Sequence, residues 1–207
     1  MSNILLGSES PGRKHVLEKF GFSFDCLAPK VDEKSVYGSI PFQEAVDLVL
    51  FNSNLKMKTL IEKANDINDY ILLITSDTTV FFNNKIYEKT YDKTLATKLL
   101  HELKGHRHQV ITGVSLFIFD ANTKDKPRTI QFYEVTEVSL TNNDLLIDFY
   151  LQSDDCLGKA GCYGIQSSGS IIIEDVNGSL DNVIGLPMNK IVLNLPPNIL
   201  NSLKNHM

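Results

Sequence analysis

An apolar triplet, Ile4-Leu5-Leu6, runs directly into Gly7-Ser8-Glu9-Ser10-Pro11-Gly12-Arg13-Lys14, and this junction constrains the chain more than any other stretch of it. The triplet reads as a buried strand. Ser10 suits a helix cap, Pro11 suits the first helical position, and Val16, Leu17 and Phe20 recur at helical spacing before Gly21 ends the run. The chain therefore turns sharply from strand to helix. Such a turn leaves backbone N–H groups unpaired at the positive end of a helix dipole, and Ser8, Ser10 and Arg13 add donors at the same point. Two readings fit: a phosphate pocket, or a Ser and a Pro that only cap a helix.

The 207 residues, 43% of them hydrophobic, are enough to bury a full core, and a single domain over residues 1–207 is expected. With 20 Lys and Arg against 25 Asp and Glu, the formal charge of −5 argues against broad, salt-driven binding to nucleic acid or an anionic membrane. Phosphate recognition must then be local. No apolar run approaches the roughly 20 residues that span a bilayer, and Met1-Ser2-Asn3 does not open a secretory signal, so a cytoplasmic location is expected. Cys26, Cys156 and Cys162 are odd in number and lack Cys-x-x-Cys spacing, which points to neither a disulfide framework nor a zinc site. Cys162, in a Gly-rich segment, is the one candidate for a reactive thiol.

Along the chain, a long helix is predicted over residues 41–63, with a bend at Asn52-Ser53-Asn54. A second is capped by Asp92, carries Leu95, Leu99 and Leu103 as its apolar stripe and stops at Gly105. A third starts at Thr141, with Asp144 completing a capping box ahead of Leu145, Leu146, Phe149 and Tyr150. Strands are predicted over residues 22–27, 71–74, 110–119, 130–138 and 171–174, and residues 120–128 read as an exposed hairpin loop. Helices and strands alternate early and strands pair late. That order predicts an α/β fold with a curved, mixed β-sheet flanked by helices.

Chemistry gathers in three places. In Leu72-Leu73-Ile74-Thr75-Ser76-Asp77-Thr78-Thr79-Val80 a strand reads as ending on a carboxylate, where Asp77 suits a divalent cation or a proton from water, or simply starts a turn. The pair Asp32-Glu33 offers a second oxygen ligand or a solvated loop charge. Lys56, Lys89 and Lys159 are compact cations for phosphate oxygens, and the four glycines from Gly158 to Gly169 let backbone approach a ligand closely. His106 and His108 suit structural hydrogen bonds better than metal ligation. No Ser-His-Asp order or nucleophile elbow is present, which argues against acyl chemistry.

Taken in order, GSESPGRK, VDE, SDTTV, the EKT segment, ELKGHRHQVITGVSL, GKAGCYGIQ and NVIGLPMNK resemble the Maf family of nucleoside triphosphate pyrophosphatases over nearly the whole chain. The resemblance implies a fold related to the inosine triphosphate pyrophosphatases with an active cleft between two lobes, a homodimer, and hydrolysis between the α and β phosphates with Mg²⁺ or Mn²⁺. Carried over by motif, Asp77 is the proton acceptor, Ser8 and Arg13 meet phosphate, Lys56 and Lys89 neutralise the triphosphate, and Glu33 and Asp77 hold metal. Lys58 lies close to the blurred Lys56 motif and competes with it.

The family's branches differ around the base. Thr78 and Gln166 side with the branch that acts on dTTP and UTP, whereas the 7-methyl-GTP branch carries Gln and Glu there. The departure is Gly12, where the first branch normally has Arg and the second an aromatic. The expected function is therefore a metal-dependent pyrophosphatase acting on dTTP, UTP and modified pyrimidine nucleotides. The alternatives are a pyrophosphatase of the 7-methyl-GTP type and a nucleotide-binding regulator of cell division without turnover.

Overall fold

The structure, a computed structural model, describes residues 3–65, 67–119 and 127–204. Its strands are β1 (Ile4–Leu6), β2 (Phe24–Cys26), β3 (Leu72–Phe82), β4 (Lys85–Tyr87), β5 (Arg107–Ile118), β6 (Arg128–Leu140) and β7 (Ile173–Asn177). They form one mixed sheet in the order β2-β1-β3-β5-β6-β7, with β4 paired to the far part of β3. β1 is parallel to β2 and β3, and the remaining pairs are antiparallel. The expected mixed sheet with flanking helices is present. Most of the predicted hairpin loop, residues 120–126, lies outside the described residues.

β3 departs from expectation in a way that creates the site. Instead of ending near Ile74 it runs on for 11 residues through Asp77 to Phe82. What ends is its neighbour: β1 stops opposite Ile74, and β4 joins only at Val80. Residues 75–79 thus have no strand partner on that edge among the described residues, while β5 pairs with their other edge throughout. A β-branched run held by one antiparallel partner has no reason to stop at a carboxylate. The same stretch also separates two apolar clusters. Leu72 and Ile74 pack with Ile4, Leu6, Val16 and Leu17, whereas Val80 packs with Leu100, Leu103, Ile147 and Tyr163.

Helix α1 (Pro11–Lys19) begins as predicted, with Ser10 accepting from the Arg13 N–H and Pro11 in the first turn. α2 (Phe42–Lys63) runs unbroken for 22 residues through Asn52-Ser53-Asn54. Asn52 and Ser53 are both buried: Asn52 bonds only to groups outside the helix, while Ser53 bonds back to the Leu50 carbonyl at 2.9 Å and across to Ser115, and neither interrupts the helix. α3 (Lys93–Leu103) is capped by Asp92, but Ala96, Leu100 and Leu103 are its buried residues and Leu95 is exposed. Leucines every four residues drift around a helix of 3.6 residues per turn, so the stripe leaves the buried face. α4 (Asp144–Leu151) starts after an Asn143 cap rather than at Thr141, and it buries Ile147 and Tyr150 while Leu145 and Phe149 face solvent. The last predicted strand begins two residues late, at Ile173, because Ser168–Ile172 forms a 3₁₀ turn. Three short helices, α5 (Leu180–Ile184), α6 (Met188–Asn194) and α7 (Pro197–Lys204), complete the chain.

The depth of α2 on the sheet is set by Gly113 of β5. A Cβ there would lie 2.6 Å from the backbone carbon and oxygen of Val49, which cannot rotate away as a side-chain tip can. Gly113→Ala should therefore lower unfolding free energy by about 1–3 kcal/mol, the cost of overpacking. Urea denaturation of both proteins measures it, and equal midpoints would show that α2 is not held this closely.

Candidate active site

Along the inward face of α2, apolar Ala45, Val46, Val49, Met57 and Leu60 surround a polar group of Asn52, Ser53 and Lys56. That group faces the unpaired edge of β3. Lys56 is only 6% exposed, and a buried lone ammonium is strongly unfavourable unless its N–H groups are matched. Its Nζ donates to the Ser76 carbonyl at 3.3 Å and to Asp77 Oδ1 at 2.6 Å, and it pairs with Glu33 Oε1 at 3.0 Å. Lys58 is exposed, so the pocket lysine is Lys56. Glu33 Oε2 takes a second cation, Lys89, at 3.0 Å. Burial would raise the Glu33 pKa, but the two lysines outweigh it and hold the carboxyl below its ordinary value. Asp32, its neighbour, points to solvent.

Asn52 was not anticipated. Its Nδ2 donates to Asp77 Oδ2 at 3.1 Å and to the Lys34 carbonyl at 3.0 Å, and its Oδ1 accepts from the Lys34 N–H at 2.9 Å. The usable signal was an amide one helical turn before Lys56 on an otherwise apolar face.

Arg13 joins the same edge from α1. Its Nε donates to the Gly185 carbonyl at 3.1 Å, Nη2 to Thr78 Oγ1 at 3.2 Å and Nη1 to Ser8 Oγ at 3.4 Å. Burial lowers the guanidinium pKa, opposed by the charges of Asp77 and Glu33. Gly185 is left-handed, at φ 105°, and so closes α5 while turning its carbonyl to Arg13 and to the Ser76 hydroxyl. Thr78 also shares a 3.0 Å bond with Thr112, which places its hydroxyl beside Arg13.

These groups line one wall of a cavity of about 1030 Å³. The other wall is the Gly-rich segment, with Lys159, Tyr163 and Gln166. Asp155 closes this segment on itself: Oδ1 pairs with Lys159 at 2.6 Å, and Oδ2 accepts from Ser167 Oγ at 2.7 Å, Ser168 Oγ at 2.8 Å and the Gly169 N–H at 3.3 Å. Lys159 lines this cavity too, with its charge paired to Asp155 of its own loop. Gln166 leans on α1, where a Cβ at position 12 would collide with its Nε2 and come within 3.0 Å of Ile184. The space left by Gly12 is thus filled by the Gln166 amide. Cys162 is buried, and burial pushes its thiol up to about 12, which rules out a reactive thiolate. His108 is buried 2.7 Å from the Tyr163 hydroxyl and His106 stacks on Phe82, both structural roles as expected.

Of the residues predicted for the site, Ser8, Arg13, Glu33, Lys56, Asp77, Thr78, Lys89 and Gln166 all line this cavity. Among the described residues no three His, Cys, Asp or Glu side chains gather to hold a metal by themselves. The Glu33 and Asp77 carboxylates converge on Lys56 Nζ, and by donor chemistry two such groups suit a hard divalent cation, since Mg²⁺ commonly takes one or two carboxylates plus phosphate oxygens and water.

The family model for Maf-like proteins matches residues 3–196, and the chain belongs to the Maf-like family. A protein of Bacillus thuringiensis subsp. konkukian (strain 97-27) is 36% identical over 202 residues, covering 94% of this chain and 95% of its own. One from Clostridium botulinum (strain Okra / Type B1) is 34% identical over 193 residues, covering 92% and 94%. Both are described as dTTP/UTP pyrophosphatase. Among solved structures, the Staphylococcus aureus Ham1 protein aligns over 68% of this chain and 72% of its own, at 15% identity and a TM-score of 0.39, a likeness too slight to bear on either fold or function.

The Asp155 cluster makes stability depend on acid. Burial opposes ionisation of Asp155, yet the bonds from Lys159, Ser167 and Ser168 hold its pKa at about 2 instead of 3.8. The stabilisation is present above pH 4 and disappears as pH falls toward 2, and solvent screening of this partly exposed carboxylate leaves about 1 kcal/mol of it. Asp155→Asn should be less stable than the parent by that order at pH 7, with the difference closing near pH 2. Chemical denaturation at both pH values reads it, and a difference independent of pH would discount the carboxylate.

Proposed function

We propose that this chain is a nucleoside triphosphate pyrophosphatase that cleaves dTTP and UTP, and modified pyrimidine triphosphates, between the α and β phosphates. The observation that carries this reading is the set of Asp77, Glu33, Lys56 and Arg13 on one unpaired strand edge in a cavity large enough for a nucleotide. The names of the relatives support the substrate class. Action as one domain, in the cytoplasm and as a homodimer, belongs to the same reading through the family resemblance.

In this mechanism the phosphates lie along β3 between the start of α1 and Lys56. Arg13, Lys56 and Lys89 offset charge on the departing pyrophosphate, and the N–H groups at the start of α1 add donors. Asp77 takes a proton from a water molecule whose oxygen attacks the α phosphorus, and the bond to the bridging α-β oxygen breaks as pyrophosphate leaves. Glu33 and Asp77 would hold Mg²⁺ or Mn²⁺, which supplies compensation for phosphate charge when bound. No protein nucleophile is needed. The base lies toward Gln166, whose amide offers both a donor and an acceptor to the alternating N–H and carbonyl edge of uracil or thymine.

Asp77→Asn keeps the shape of the side chain and removes the proton acceptor, so turnover of UTP should fall roughly 10²-fold or more in a folded protein. Product analysis with Mg²⁺ or Mn²⁺, scoring monophosphate and pyrophosphate, measures it. Near-normal turnover would move the base elsewhere.

Gln166→Glu replaces a donor by acceptors alone, against the carbonyl oxygens of uracil and thymine. Gln166 is exposed until a base covers it, and a group left mispaired under the bound base costs ~1–3 kcal/mol, so kcat/KM for UTP and dTTP should drop roughly 10-fold or more, with a smaller loss on 7-methyl-GTP. An unchanged ranking across UTP, dTTP, CTP, GTP and 7-methyl-GTP would show that Gln166 does not read the base.

A further inference from the structure

Glu33 sits in a stretch, residues 27–40, that has neither helix nor strand, yet its carboxylate must stay beside Asp77 of β3. What fixes it there is a side chain of α2. We propose that Asn52 is a positioning residue for the hydrolysis, holding the Glu33 segment and the Asp77 carboxylate in one fixed arrangement. This rests on the reading of Asp77 and Glu33 given above.

The amide of Asn52 is 3% exposed, and every bond it makes serves these two segments. Its oxygen and one N–H capture the backbone N–H and carbonyl of Lys34 together, at 2.9 and 3.0 Å, so a side chain supplies the rung that a neighbouring strand would otherwise give. Lys34 is the residue after Glu33. The remaining N–H goes to Asp77 Oδ2, while Lys56 holds Oδ1, so the carboxylate plane cannot rotate without losing a bond. An apolar residue would suit this face of α2 better on packing grounds alone, because a buried amide is unfavourable without partners. The partners that compensate it are the two groups whose placement matters for catalysis. Positioning of this kind is worth large factors in rate even when no contact with substrate is made.

The test compares wild type with Asn52→Ala and Asn52→Asp, reading kcat and KM for UTP, melting temperature, and hydrogen exchange at the Lys34 amide. Asn52→Ala should lower kcat roughly 10-fold or more with KM within about threefold, and should speed exchange at Lys34 while the amides of α2 keep theirs. Asn52→Asp retains the acceptor for the Lys34 N–H, so exchange there stays slow. It also faces Asp77 with a second carboxylate, so its kcat falls too. Two variants with kcat within twofold of wild type would overturn the proposal, as would kcat and KM worsening together in step with a lower melting temperature. If wild type cleaves no triphosphate, the reading of function fails instead. Exchange then decides on the clamp alone: faster exchange at Lys34 in Asn52→Ala supports it and unchanged exchange overturns it.

Discussion

Lys56 places an ammonium where almost no water reaches it, and its three partners come from two segments: the Ser76 carbonyl and the Asp77 carboxylate from the open edge of β3, and Glu33 from an irregular loop. None of these groups is stable there without the others. Two carboxylates around one point repel, and a lone buried charge loses several kcal/mol of hydration, but the three together offset both terms. The depressed pKa of Glu33 expresses the same coupling. A site with this dependence forms as a unit. It also stores little conformational freedom, because Asn52 and Lys89 fix the oxygens that Lys56 leaves over.

This arrangement needs a strand edge that is buried but unpaired, and the sheet provides one by ending β1 early and starting β4 late. The backbone of residues 75–79 is kept straight by β5 alone, so side chains and not a ladder fill the space on the open side. Gly113, paired opposite Asp77 on β5, lets the backbone of α2 come close enough for Lys56 to reach across. Gly185 does the equivalent from the other direction, turning a carbonyl toward Arg13 and Ser76. Packing therefore decides the chemistry at a distance: two glycines with no functional group set the separation of the charged residues.

The parts of the molecule legible in the sequence are those governed by neighbours in the chain. The strand-to-helix turn at Ser10 and Pro11 and the Asp92 cap follow from local hydrogen bonding and were found where expected. The extent of β3 was not legible, because what continues a strand is a partner some 35 residues away, and Thr and Ser do not announce it. The role of Asn52 was not legible for a related reason: in isolation Asn and Ser compete with a helix, and only the folded structure supplies the Lys34 and Asp77 partners that hold the Asn52 amide. The pairing of Lys159 with Asp155, four residues earlier, is by contrast of a spacing visible in the sequence. Gly12 looked like a missing side chain until Gln166 was seen in its place.

The charges on the phosphate side of the cavity are also unevenly matched. Arg13, Lys56 and Lys89 face Glu33 and Asp77, which leaves one net positive charge, and a triphosphate brings more negative charge than that. Every one of these cations already has protein partners, so a bound phosphate shares them and does not find them bare. Such pre-set dipoles and charges need little rearrangement as charge develops on the leaving group, which is where their effect on rate arises. They do not by themselves neutralise the substrate. In the proposed reaction a divalent cation would add to this compensation, and Glu33 and Asp77 would be the groups to hold it. The two carboxylates would then weaken the site's own attraction for a nucleotide while giving it a place for a cation that accompanies the phosphates.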